Sequence, residues 1–174
     1  MSTRPLPEGV HVLELSPDKA QFIWEQFSAI PGIFDDYSKN RPDVFLQRLL
    51  AQDTVWLERD DGNGVLYLTD VIRGLSAVGH IVYWDKRLRG REDFTMNCLR
   101  WLMDVIPLQK INVFLPDFAK TAQAFASRMG FKQEGKLRNF SFYDTKLHDC
   151  FLFGMTREEA LATAEKEELV AQEA

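Results

Sequence analysis

The sequence predicts an α/β (α+β) domain with a mixed, mostly antiparallel central sheet of about seven strands, flanked by about four helices. An acidic C-terminal helix is expected to follow it. Three observations carry this prediction. Apolar residues recur at helical spacing early in the chain, alternate through three strand-like runs, and then pass through helix, strand, helix before two last strands. Gly, Asp, Asn and Pro clusters punctuate the runs, with no internal repeat and no linker-like stretch between them. Apolar residues make up 45% of 174 residues, which suits one sizeable core.

Taken in order, Val10 to Leu15 alternates weakly and reads as a first strand. Ser16-Pro17-Asp18 supplies a cap, a proline at the first helical position and an acid in the first turn. The helix it opens carries Phe22, Ile23, Trp24 and Phe27 and should end near Pro31-Gly32. Pro42 to Gln52 reads as a second helix with a Phe45, Leu46, Leu49, Leu50 stripe. Strands are expected over Thr54 to Arg59, Val65 to Ile72 and Ala77 to Trp84. The turn residues Asp60 to Gly64 and Arg73-Gly74 separate them, so they should form an antiparallel meander. Val65 to Val71 is apolar almost throughout, as in a strand covered on both faces.

The second half begins with a helix marked by Phe94, Cys98, Trp101, Leu102 and Val105 that stops at Pro107. Ile111, Val113 and Leu115 make a strand, and Thr121 to Met129 a helix with Ala122, Phe125 and Met129 inward, closed by Gly130. Strand, crossover helix, strand calls for a parallel pair beside the meander. Gln133 to Tyr143 and His148 to Met155 complete the sheet.

Charge narrows the partners. The net charge is −5, and residues 157–174, with six Glu against one Arg and one Lys, account for −4 of it. The remainder, near −1, has no broad basic footprint, so nucleic acid is not expected as a partner. The run REEALATAEKEELVAQEA has high helix propensity and sparse apolar residues. It reads as an exposed or partner-docked helix, with an acidic solvated tail as the alternative. Residues 1–158 are therefore expected as the domain and 159–174 as a tail that offers a surface to a protein partner. No apolar run approaches the roughly 18 residues a membrane span needs, and the N-terminus lacks a signal-like segment, so a cytoplasmic protein is expected. Cys98 and Cys150 read as buried free thiols, and His11, His80 and His148 stand too far apart in sequence to suggest a metal site.

The turn KRLRGRE, Lys86 to Glu92, places four cations beside a glycine where a strand hands over to a helix. Outward backbone N–H groups and the helix dipole favour an anion there, so a phosphate-bearing ligand is expected. Glu92 and Asp93 oppose it.

This element order, with GFKQEGKLR starting at Gly130 and His148-Asp149 leading into CFLFGM, resembles the GNAT superfamily of acyl-CoA N-acyltransferases, and within it the branch that acetylates protein N-termini and antibiotic amines. The resemblance spans about Val10 to Glu158. It implies acetyl-CoA as acyl donor and an amine on a protein or small molecule as acceptor. In the family the fourth and fifth strands splay, and the pantetheine arm pairs with the fourth, here Ile81, Val82 and Tyr83. The pyrophosphate rests on the following turn, here Arg87, Arg89, Gly90 and Arg91. That turn ends in Glu92 where the family has a small residue. Ala119 and Ala126 stand where many relatives carry a cofactor-contacting Asn and a Tyr that protonates the thiolate. By the same resemblance the acceptor pocket is Phe34, Asp35, Asp36 and Tyr37 with Phe142, Tyr143, Asp144 and Lys146.

Amine acylation needs a base near neutral pKa, a polarised thioester carbonyl and a proton for the thiolate. Asp70, His80, Asp85 and His148 are candidate bases. His80 is preferred because its strand borders the expected thioester and imidazole titrates near neutrality. Tyr83 is the candidate donor to the thiolate. The catalytic set is thus His80, Tyr83 and Asp85. Asp117 reads as a helix N-cap, and Asp149 as either an amine ligand or a turn residue. The alternative is a GNAT-fold binding or assembly protein that has lost catalysis, such as a phage virion component. A sensor that binds without turnover is a third reading, and a homo-oligomer is left open.

Overall fold

Ser16 starts the first helix as its chemistry dictates. Its hydroxyl accepts the Lys19 backbone N–H at 3.1 Å, and Pro17 opens α1, Pro17–Ser28. This computed structural model describes residues 4–38, 40–50, 54–85 and 89–162. The expected elements appear in the expected order: β1 (Val10–Val12), α1, α2 (Pro42–Leu49), β2 (Val55–Arg59), β3 (Gly64–Ile72), β4 (Ser76–Tyr83), α3 (Arg91–Val105), β5 (Lys110–Pro116), α4 (Lys120–Arg128), β6 (Lys132–Tyr143) and β7 (Lys146–Thr156). The seven strands form one sheet in the order β1-β2-β3-β4-β5-β7-β6. Among the described residues, only the β4–β5 pair is parallel, as a crossover through α3 requires.

Strand alternation sends side chains to two cores. Leu57, Leu66, Leu68, Ala77 and Ile111 pack with α3, α4 and Ala160 on one face. Trp56, Val65 and Val82 pack with Ile23 and Phe27 of α1 and Phe45 and Leu49 of α2 on the other. Of the run Val65 to Val71, expected to be covered on both faces, Val65, Leu66 and Leu68 are buried and Tyr67 half-buried, whereas Asp70 is exposed where the β3–β4 register shifts. Cys98 and Cys150 are buried free thiols, and burial pushes them up to about 12 and about 11.

Two readings change. Ala122 is exposed, and Ala126 takes the inward position on α4, because the helix begins at Lys120 and turns that face to the sheet. Asp117 does not cap α4: Ala119 occupies the N-cap without a side-chain bond, and the Asp117 carboxylate turns to His148. The chain is packed where the expected tail begins. Residues 157–162 are helical, Ala160 is fully buried, and Glu159 accepts the Thr156 backbone N–H at 2.9 Å. Residues 163–174 of the predicted tail lie outside the described residues.

Candidate active site

The central feature is a fork. β4 pairs with β5 only from Ser76↔Lys110 to Val78↔Asn112. Among the described residues, no pairing links the two strands beyond that point. β4 runs on to Tyr83, backed by β3, and β5 runs on to Pro116, backed by β7. The edges Gly79–Tyr83 and Val113–Pro116 therefore face a gap, with backbone groups available to an extended amide chain. Gly79 stands at the crotch, where a Cβ would come within 2.8 Å of the Ile111 Cγ2 methyl, so only glycine lets β5 close in just before the strands part.

The two faces of β4 differ. Ile81 and Tyr83 lie on the α3 face. The Tyr83 hydroxyl donates to the Arg91 carbonyl at 2.8 Å and sits 2.9 Å from Thr95 Oγ1, so it closes the first turn of α3. Burial raises its pKa well above that of a free phenol, which keeps it protonated.

Beyond β4, Asp85 is half-buried, Arg89 and Gly90 are exposed, and Arg91 is half-buried. Lys86 and Arg87 lie outside the described residues. Gly90, at φ 69°, is the N-cap of α3. The Arg91 guanidinium lies 5.9 Å over the Tyr83 ring, and its Nε is buried without a hydrogen-bond partner. Arg59, which sequence alone did not single out, adds a cation: it donates to the Gly90 carbonyl at 3.1 Å and lies 5.5 Å over Phe94. Asp61 beside it raises its pKa further. Glu92, the residue that opposes an anion in sequence, is 3.4 Å from Arg128 of α4. A helix N-terminus, an orphaned guanidinium N–H and a diverted carboxylate together fit a phosphate-bearing ligand.

His80 and Val82 point the other way. Trp56, Tyr67 and His80 form a cross-strand stack, with centroids 3.8 Å and 4.5 Å apart and planes within 12° and 9°. His80 Nε2 is 3.0 Å from Thr69 Oγ1.

On the far bank, at the end of β5, His148 Nδ1 lies 3.0 Å from Asp117 Oδ1 and its Nε2 lies 3.2 Å from the Tyr143 carbonyl. Phe118 packs on both rings with centroids 4.8 Å away, and Gly32 sits where a Cβ would come within 2.7 Å of Phe118. The loop after α1 is tied to the β6–β7 turn: Asp36 N–H donates to the Phe142 carbonyl at 2.8 Å and Thr145 N–H to the Asp36 carboxylate at 2.6 Å. The fold thus brings Asp35, Asp36, Phe142, Tyr143 and Asp144 to one place. Asp149 is engaged elsewhere: its carboxylate takes Lys136 at 2.6 Å and the Asn139 N–H at 3.0 Å, and Lys136 holds its pKa below the usual range. Ala126, the position the resemblance assigned to a Tyr in relatives, is buried. Among the described residues, no group of three or more His, Cys, Asp or Glu is arranged to hold a metal, and no helix is long and apolar enough to cross a membrane.

No family model and no curated protein matches the chain. Solved structures do. A spermidine N-acetyltransferase from Vibrio cholerae in complex with CoA and spermine matches with a TM-score of 0.69 at 13% identity, over 89% of this chain and 99% of its own. A chimera of the Vibrio cholerae enzyme and hSSAT gives 0.69 at 13% identity over the same shares. A single-site mutant of the Vibrio cholerae enzyme gives 0.71 at 14%, over 91% of this chain and 99% of its own. None of these supports the virion alternative. The sheet order, the forked β4–β5 pair and these neighbours together identify the GNAT fold in this chain.

Proposed function

We propose that this protein is an N-acyltransferase that moves an acetyl group from acetyl-CoA to a primary amine held on the α1–α2 side of the sheet. The observation that carries this reading is the fork, which leaves the end of β4 unpaired on one side with a cationic helix N-terminus beyond it. In this reading Ile81 and Val82 offer backbone to the donor's amide arm, and Arg91, Gly90 and Arg89 receive its phosphates, with Arg87 of the same turn. Arg59 fixes that turn through the Gly90 carbonyl.

An amine reaches the thioester as an ammonium and must shed a proton before its lone pair can attack the carbonyl carbon. We assign that proton to His80, which lies on the acceptor face two residues beyond the last β5-paired residue. The C–N bond forms, the C–S bond breaks, the nitrogen gives up a second proton as the amide forms, and the thiolate takes up one proton. The balance is one acetamide, one free thiol and one proton released. Tyr83 remains the candidate for the proton to sulfur, and Asp85 a candidate base. For Tyr83 this requires its hydroxyl to leave the Arg91 carbonyl. Asp35, Asp36 and Asp144 give the acceptor side negative charge. With spermine bound in a neighbour of this fold, a polyamine is the first amine to try.

The second reading, a GNAT-fold binding protein without turnover, is favoured by Ala126, which puts no hydroxyl where relatives carry their acid. Calorimetry with acetyl-CoA, then thiol release with an amine panel, separates the two. Micromolar binding lost in Gly90→Trp, together with amine-dependent thiol release, is the expected result. Binding without release with any amine sinks turnover, and no binding at millimolar donor sinks both readings.

A further inference from the structure

The Thr69 hydroxyl lies between two partners, His80 Nε2 at 3.0 Å and Asp70 Oδ2 at 3.1 Å. A carboxylate can only accept, so the single hydroxyl proton goes to Asp70. Thr69 then has only lone pairs to offer His80, and Nε2 must be the nitrogen that donates. In the neutral ring this leaves Nδ1 as the basic nitrogen.

A second feature points the same way. Asp70 is a non-glycine residue at φ 51°, within the register shift that interrupts the β3–β4 ladder between Thr69 and Ile72. A bulge re-aims side chains, and a left-handed Asp carries some backbone strain that its surroundings must offset. Here the carboxylate of an exposed residue is folded back onto its neighbour's hydroxyl. The Tyr67 ring, parallel to His80 within 9° and backed by Trp56, resists the ring flip that would carry Nε2 away from Thr69 and put carbon Cε1 in its place.

We propose that Thr69 and Asp70 are positioning residues that set the tautomer of His80, with the β3 bulge as the device that aims them. Its catalytic use rests on the acyltransferase reading above; the tautomer assignment does not. The test is long-range proton–nitrogen correlation NMR on labelled protein, at a pH where imidazole is neutral. The expected spectrum shows His80 with its proton on Nε2. Thr69→Val, matched in shape, should remove that preference and give a mixture, and Asp70→Asn should weaken it, because an amide can donate to Thr69 as well as accept from it. Asp70→Gly relieves the strain while removing the acceptor, so it should raise stability yet also lose the preference. In an active preparation Thr69→Val should lower kcat by about tenfold with KM unchanged. A wild-type ring protonated on Nδ1, or a tautomer unchanged in Thr69→Val, overturns the proposal. If the preference is present and lost as expected in protein that acetylates no amine, the tautomer assignment stands and the acyltransferase reading falls.

Discussion

The two faces of the sheet solve the same packing problem with different materials. Under α3 and α4 the fully buried side chains are mostly Leu, Ile and Met: Leu57, Leu66, Leu102, Met103, Ile111, Met155. Under α1 and α2 the fully buried aliphatics Ile23 and Val65 share the core with a set of packed rings, in which Phe27 lies 5.4 Å from Phe45, 6.3 Å from Tyr67 and 6.4 Å from Trp56, with half-buried His80 at the end of the array. Aliphatic chains fill volume without fixing a direction, whereas stacked rings fix planes. The ring-built face is the one that presents an imidazole in a set orientation. The difference teaches where stability and where orientation are stored.

The sharpest way to break that comparison is a matched pair of truncations. Leu102→Ala should cost about 2–5 kcal/mol and Phe27→Ala about 3–5 kcal/mol by urea unfolding. Only Phe27→Ala should shift the His80 ring signals. If Leu102→Ala moves them as far, the faces are not independent and the comparison fails. Next in size is the seam between the faces. Gly79→Ala puts a methyl 2.8 Å from Ile111 Cγ2, and overpacking there should cost about 1–3 kcal/mol. The Ile111 side chain must give way, so donor affinity should fall with stability. A donor affinity unchanged by this substitution would mean that the crotch of the fork does not shape the donor site.

How much of this was legible in the sequence follows from range. Ser16-Pro17-Asp18, the Asp60–Gly64 turn and the strand alternation are local signals, and they placed every strand and helix within a few residues. The fork is not local. It depends on β3 and β7 backing strands whose own contact ends at Val78 and Asn112, which no spacing in either strand reveals. The site shows the same division. His80 and the basic turn were visible as residue types, but Glu92 meeting Arg128 and Arg59 meeting Gly90 span 36 and 31 residues. Asp117 looked like a cap because a helix follows it, and its His148 partner is 31 residues on. Thr69-Asp70 was readable as sequence, and its left-handed Asp was not, since Asp occurs in strands and turns alike.

Smaller effects test whether the ring face depends on the start of α1. Ser16→Ala removes the acceptor for the Lys19 N–H and should cost about 1 kcal/mol, read as a lower urea midpoint with unchanged slope. A changed slope would instead point to an altered unfolded state, and would leave the cap's contribution to α1 unsupported.

The smallest expected effect is a pH dependence at the same end of that face. Glu58 is buried on β2, where Lys19 of α1 is ion-paired with it and His11 Nε2 lies 3.1 Å away. His11 Nδ1 is 2.8 Å from Asp60, and that bond, with Glu58 as the second partner and partial burial opposing, raises the His11 pKa above 6.5. A group whose pKa is raised on folding binds its proton more tightly in the folded state. Its contribution is therefore fully present below pH 6.5 and is lost as pH rises through the raised value. His11 is 47% exposed, so salt should erode the effect. Wild-type Tm should fall slightly more than that of His11→Gln between about pH 6 and pH 9, and less so at high salt. A wild-type Tm that instead rose against the variant over that range would mean His11 is held neutral, and that Lys19 alone compensates Glu58.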